Sequence, residues 1–190
     1  MELFGEIDPQ RPLLIVALSE EGEHLHQLDP PVLVSGPGKV RAAATTARAL
    51  SAQRPSELIS LGTAAALKDG FSGMHVIGKS IQYDFDGEAI FELTGMRFGA
   101  PLELGEGPSL ATGDRFISDS QTRARLAKLA DLVDMEGYAV AAVAQAFGVP
   151  VRIVKQVSDD GDEQALKSWR DSLAQCAELL AGWVRSELPR

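Results

Sequence analysis

Only one cysteine, Cys176, occurs in 190 residues. An intrachain disulfide framework is excluded, and a lone thiol suits a reducing compartment. Aromatic residues are scarce at 6%, too few to stack successive bases of a nucleic-acid strand. Positive charge is short as well: 18 Lys+Arg stand against 27 Asp+Glu, a net charge of −9. That balance argues against nucleic acid as the main partner, because a basic footprint is what grips a phosphate backbone. No apolar run is long. The longest, residues 13–18, falls far short of the roughly 20 residues a membrane helix needs. Residues 1–10 lack a basic region ahead of an apolar stretch, so no targeting signal and a cytoplasmic location are expected. Of the three histidines, His24 and His26 are two apart, with no H-E-x-x-H or cysteine pair beside them, so no metal is expected. Lys39 follows glycine as in a phosphate loop, but Leu33 and Val40 stand where that motif needs Gly and Ser/Thr.

What is present is ordinary for a globular chain: 45% hydrophobic and 24% charged residues. The length suits a single domain spanning residues 1–190, able to bury roughly 70% of its unfolded surface. Short apolar runs alternate with helical stretches. LLIVAL (13–18) is too short for a core helix and rich in β-formers, so it predicts a buried strand. Residues 31–35, 58–61, 74–82, 110–113, 132–134 and 151–157 predict further strands. Gly36-Pro37-Gly38 predicts a forced turn. The Ala-rich stretch 39–53 carries apolar residues at helical spacing and stops before Pro55. Helices are also expected at 118–129, capped by Ser118 or Ser120, at 136–147 and at 163–188. Residues 20–28 read as a short acidic helix or turn, and 83–107 as mainly loop. Strand–helix alternation predicts βαβ units and a mostly parallel sheet covered on both faces.

Acids stand where predicted strands end: Glu20 and Glu21 after the first, Asp134 and Glu136 after the sixth, Asp159 and Asp160 after the last. Ligands of open α/β sheets bind beyond the carboxyl ends of the strands. One such acid is commonly a helix cap. Several on one sheet edge point to a site. Cys176 lies in the last helix without a base nearby and reads as a packing residue.

Five segments, SGPGKV (35–40), LGTAAAL (61–67), TGDRFI (112–117), DMEGYA (134–139) and VPVRIVKQVSDDGD (149–162), occur in an order that resembles the nucleoside phosphorylase/nucleosidase family, most closely its methylthioadenosine/S-adenosylhomocysteine nucleosidase branch. The resemblance implies a three-layer αβα fold around a central mixed, partly barrel-like sheet. It implies a purine nucleoside as ligand, no cofactor and a homodimer. Asp159 matches the general acid that protonates N7 of the purine, with Ser158 orienting it. A carboxylic acid can serve that role near neutral pH only if burial raises its pKa. Glu136 matches the carboxylate that grips the ribose hydroxyls, and Met135 packs against the sugar. Glu21 matches the base that activates water, with Glu20 and Glu23 as competing registers. Thr63 stands where the family has a small hydroxyl beside the attacking oxygen, next to Ala64. Phe116 matches the aromatic that stacks on the base, and the Ile117 backbone would read the adenine edge. Lys155 replaces the usual Arg, keeping the charge and losing the bidentate fork.

Two departures stand out. Only a few residues separate His24 from the strand at Pro31, where the family usually has a hairpin. Tyr83-Asp84-Phe85-Asp86 stands where nucleosidases tend to have His and Asp. Phe85, Phe91 and Phe98 read as core or interface. The acidic loop 19–23 would repel phosphate, so hydrolysis of adenosylhomocysteine- or methylthioadenosine-like nucleosides to adenine and free sugar is the expected reaction. The alternatives are a phosphorylase and a non-catalytic nucleoside-binding member.

Overall fold

The computed structural model describes residues 2–188. Ten strands form one mixed sheet: β1 (Glu2–Phe4), β2 (Pro12–Val16), β3 (Val32–Val34), β4 (Glu57–Ala66), β5 (Met74–Val76), β6 (Lys79–Gln82), β7 (Leu102–Glu103), β8 (Ser109–Thr112), β9 (Leu132–Asp134) and β10 (Val151–Asp159). Five helices accompany it: α1 (Lys39–Ala52), α2 (Gly87–Thr94), α3 (Ser120–Leu126), α4 (Gly137–Phe147) and α5 (Ala165–Glu187). The path runs β1-β3-β2-β4-β9-β8-β6-β7, with β10 pairing β4 and β5 beside it. The partly barrel-like sheet expected from the resemblance is thus an open, branched sheet, because neither end of that path pairs with the other. It is also more mixed than strand–helix alternation implied. Four strand pairs, β1–β3, β4–β9, β5–β10 and β6–β7, are antiparallel.

The layers follow from the pleat. Successive side chains of a strand point to opposite faces. Leu13 and Ile15 of β2 pack with Ala49, Leu50, Val140 and Ala144 of α1 and α4. Leu14 and Val16 pack with Leu180, Ala181 and Val184 of α5. A strand buried on both faces must be apolar throughout, which is why LLIV does not alternate. Long β4 supports the branching. Its first half pairs with β2, its last residues with β9, and β10 runs along it from Leu58 to Ala65.

Several local expectations are corrected. Residues 20–28 form turns and not a helix. The 83–107 stretch contains α2, capped by Asp86, whose side chain accepts from the Ala89 N–H. The α3 cap is Asp119, which accepts from the Thr122 N–H at 2.7 Å, while Ser120 Oγ donates to Glu163 instead. Strand 74–82 is broken into β5 and β6 at Ile77 and Gly78. No helix among the described residues is long and apolar enough to cross a membrane.

Candidate active site

The carboxyl ends of β2, β4, β9 and β10, the loop after β8, Pro37 and the start of α5 reach one cavity of about 250 Å³. The end of β10 carries an irregularity in its register against β4 between Val157 and Asp159. A bulge re-aims side chains that alternation would send to opposite faces, and both Ser158 and Asp159 line the cavity. Asp159 is buried. Its carboxyl accepts from Ser158 Oγ at 2.8 Å and from the Gly161 N–H at 2.9 Å. Burial pushes its pKa above the usual carboxylate value, and the Asp160 and Asp162 charges add to this, against the two hydrogen bonds.

Opposite chemistry gathers around Glu21. Its oxygens accept from the Ala17 and Leu18 N–H groups, both at 3.2 Å, from the Thr63 N–H at 2.9 Å and from Thr63 Oγ1 at 3.1 Å. Among the three candidate registers Glu21 is the buried one that lines the cavity, while Glu20 and Glu23 are exposed. A side chain at Gly62 would put its Cβ 3.1 Å from Lys155 Nζ and 3.2 Å from Glu21 Oε1. The missing Cβ leaves room for the ammonium and the carboxylate on either side of Gly62.

Lys155 does not line the cavity; it lies behind its wall, its side chain 3% exposed, paired at 2.9 Å with Asp134, whose side chain is 1% exposed. Burial alone would lower its pKa. The charges of Asp134, Glu136 and Glu21 outweigh that and hold it above the ordinary lysine value, so it is a fixed cation. Asp134 also accepts from Thr112 Oγ1 and from the Gly137 N–H that opens α4.

Glu136 is buried beside this pair, and its Oε1 accepts from the Gly38 N–H at 2.7 Å. The turn Gly36-Pro37-Gly38 makes that contact possible: φ is +82° at Gly36 and +87° at Gly38, conformations that favour glycine. Burial first, and then the Asp134 charge, push Glu136 up to about 7, against the pull of Lys155.

Nine of the ten residues singled out from the sequence therefore share the cavity: Asp159, Ser158, Glu21, Thr63, Ala64, Met135, Glu136, Phe116 and Ile117. Sequence reasoning missed Arg115 at its exposed rim and the α5 pair Leu166 and Trp169. The pair was detectable, because residues three apart share a helix face and these follow Asp159 within one short loop. Trp169 meets Phe116 edge-on, ring centres 6.5 Å apart. A larger hollow of about 440 Å³ lies under β1, between Phe4, Arg11, His26 and Asp29. It does not gather the acids.

A buried acid with a raised pKa facing two further carboxylates suits donation of a proton to a leaving group and stabilisation of a developing cation on the other side. Comparisons with known proteins give the family and the fold. Residues 100–186 match the model of the Phosphorylase superfamily. The chain is 30% identical over 185 residues to a 5′-methylthioadenosine/S-adenosylhomocysteine nucleosidase of Actinobacillus succinogenes, covering 80% of this chain and 79% of that relative. A shorter match, 35% identical over 79 residues, is to an aminodeoxyfutalosine nucleosidase of Helicobacter pylori; it covers 40% of this chain, which there spans only 34% of the relative's length. In fold the chain is similar to a variant of the Helicobacter pylori methylthioadenosine nucleosidase with 5′-methylthioadenosine in its active site, at TM-score 0.83 and 23% identity, covering 93% of this chain and 97% of that one. A mutant of Helicobacter pylori futalosine hydrolase superposes at TM-score 0.82 and 22% identity, with the same coverage of both chains.

Proposed function

The chain belongs to the nucleoside phosphorylase/nucleosidase family, and from that premise we propose that it is a purine nucleosidase that hydrolyses methylthioadenosine- and adenosylhomocysteine-like nucleosides to adenine and a free sugar. The observation that carries this reading is the cavity's charge pattern. Glu21, Glu136 and Asp159 line it, and Arg115, at the exposed rim, is the sole cation among its described lining residues. Such a wall favours a sugar cation and repels a phosphate dianion, which normally needs Arg or a nest of amides. Ser60, three before Thr63, is buried inside β4, and Lys39 Nζ is engaged by Asp84.

The glycosidic C–N electron pair leaves with the purine, and Asp159 gives its proton to the base nitrogen. Glu136 faces the sugar as positive charge builds at the anomeric carbon, and hydrogen bonds to its hydroxyls strengthen with that charge. A water oxygen bonds to the anomeric carbon and its proton passes to Glu21. Phe116 and Trp169 offer aromatic surface for the base and the 5′ substituent.

The test is a panel of adenosine, methylthioadenosine, adenosylhomocysteine and aminodeoxyfutalosine with and without phosphate, read by chromatography. Free adenine and free sugar, at a rate indifferent to phosphate, are expected. A phosphate-dependent rate with sugar 1-phosphate as product would make the protein a phosphorylase.

The same reading includes a cytoplasmic homodimer. Helix α2 buries none of its residues. Leu93 is 80% exposed, and Phe85, Met96 and Phe98 stand exposed around it, so these aromatics are not core. Large apolar side chains left exposed on this segment suit an interaction surface, and a second copy of this chain is the proposed partner.

A further inference from the structure

Trp169 Nε1 donates to Thr63 Oγ1 at 3.1 Å, and Thr63 Oγ1 is itself 3.1 Å from Glu21 Oε1. All three residues line the cavity. The chemistry of the three groups fixes where the hydrogens lie. An indole N–H only donates, an ionised carboxylate only accepts, and a threonine hydroxyl has one hydrogen and two lone pairs. The indole takes one lone pair of Thr63. The hydroxyl hydrogen goes to Glu21. What remains on Thr63 is its second lone pair.

A water entering between Glu21 and Thr63 thus meets two acceptors. Each of its hydrogens has a partner, and its own lone pairs stay clear for the anomeric carbon. Glu21 can accept it, because three of its four contacts are 3.1–3.2 Å, at the long end for hydrogen bonds to oxygen. Were the indole absent, the Thr63 hydroxyl would be free to rotate and donate to the water. That would tie up one of the water's two lone pairs and take the hydroxyl hydrogen away from Glu21.

We propose that Trp169 is a positioning residue for the attacking water, acting through Thr63: its N–H turns the Thr63 hydroxyl into an acceptor on the cavity side and a donor to Glu21. The role rests on the nucleosidase reading above. The indole is well placed for it. It projects from α5, a 23-residue helix packed on the sheet, and it is braced edge-on by Phe116.

The experiment measures kcat and KM for adenine release by wild type, Trp169→Phe, Thr63→Val, Thr63→Ser and the Phe/Val double variant, with melting temperatures for each. Phe keeps the aromatic surface and removes only the N–H. Loss of one directed hydrogen bond predicts a kcat about tenfold lower for W169F with KM within twofold. T63V should lose at least as much. T63S, which keeps the hydroxyl, should recover most of the turnover that T63V loses. The double variant should be no slower than T63V, because both changes act on one hydroxyl. Multiplying losses, or a W169F effect confined to KM, would reduce Trp169 to a packing residue and overturn the proposal while leaving the nucleosidase reading intact. Should W169F fail to fold, T63V lowering KM-independent turnover and T63S restoring it remain required, and their absence overturns it. A wild-type protein that releases no base from any nucleoside sinks both.

Discussion

Asp159 and Glu21 are both buried carboxyl groups on one cavity, yet their surroundings differ. Asp159 sits at the bulged end of β10 with two donors and other acids nearby, and burial raises its pKa. Glu21 sits in the turn after β2 with four donors on its two oxygens and Lys155 across Gly62. Donors on both oxygens hold this carboxylate facing the cavity as an acceptor. One side of the cavity can give up a proton and the other can receive one. The difference lies in donors and charges, and not in residue type.

Substitutions that erase one side should therefore fail in distinct ways. Asp159→Asn should lower kcat for adenine release by about 10²–10⁴-fold, the usual worth of general acid catalysis, while calorimetry shows nucleoside binding little changed. Lys155→Met strikes the opposite side through stability. It leaves Asp134 buried without its cation and should cost about 3–5 kcal/mol in urea unfolding.

Glu136 gives a pH signature. Its pKa rises from 4.5 to about 7 on folding. The sign is that of a raised acid: the folded state is favoured below pH 4.5, and that advantage is lost as pH rises through about 7. Glu136→Gln should therefore gain on wild type by up to about 3 kcal/mol between pH 4.5 and pH 8, as the displacement implies. A constant difference across that range would mean that Glu136 is already ionised at low pH in the folded protein. Leu93→Asp should touch neither side of the cavity in its own subunit. It should halve the mass seen by light scattering and leave the melting of the monomer nearly unchanged.

How much of this was legible beforehand depended on what each residue faces. The strands with both faces buried announced themselves as apolar runs, and Gly36-Pro37-Gly38 as a turn. The acids at strand ends marked the site because alternation and topology bring those ends together. Helix α2 was hidden, because none of its residues is buried within the chain and its glycines and charges read as loop. Its place in a motif, where the family has Arg, makes Lys155 a candidate substrate-binding residue by resemblance alone. Its neighbours Ile153 and Val154 are fully buried, and a lysine in that run belongs to the wall behind the cavity. Nothing in the sequence sets Trp169 apart from the other apolar residues of α5; its contact with Thr63 does.

The most direct test of the division between the two sides uses two leaving groups. Asp159→Asn and Glu21→Gln are assayed on methylthioadenosine, whose base must be protonated to depart, and on a p-nitrophenyl riboside, whose phenolate departs without a proton. Asp159→Asn should lose the first activity and keep the second; Glu21→Gln should lose both. Equal losses on the two substrates for Asp159→Asn would contradict the assignment of Asp159 as the proton donor.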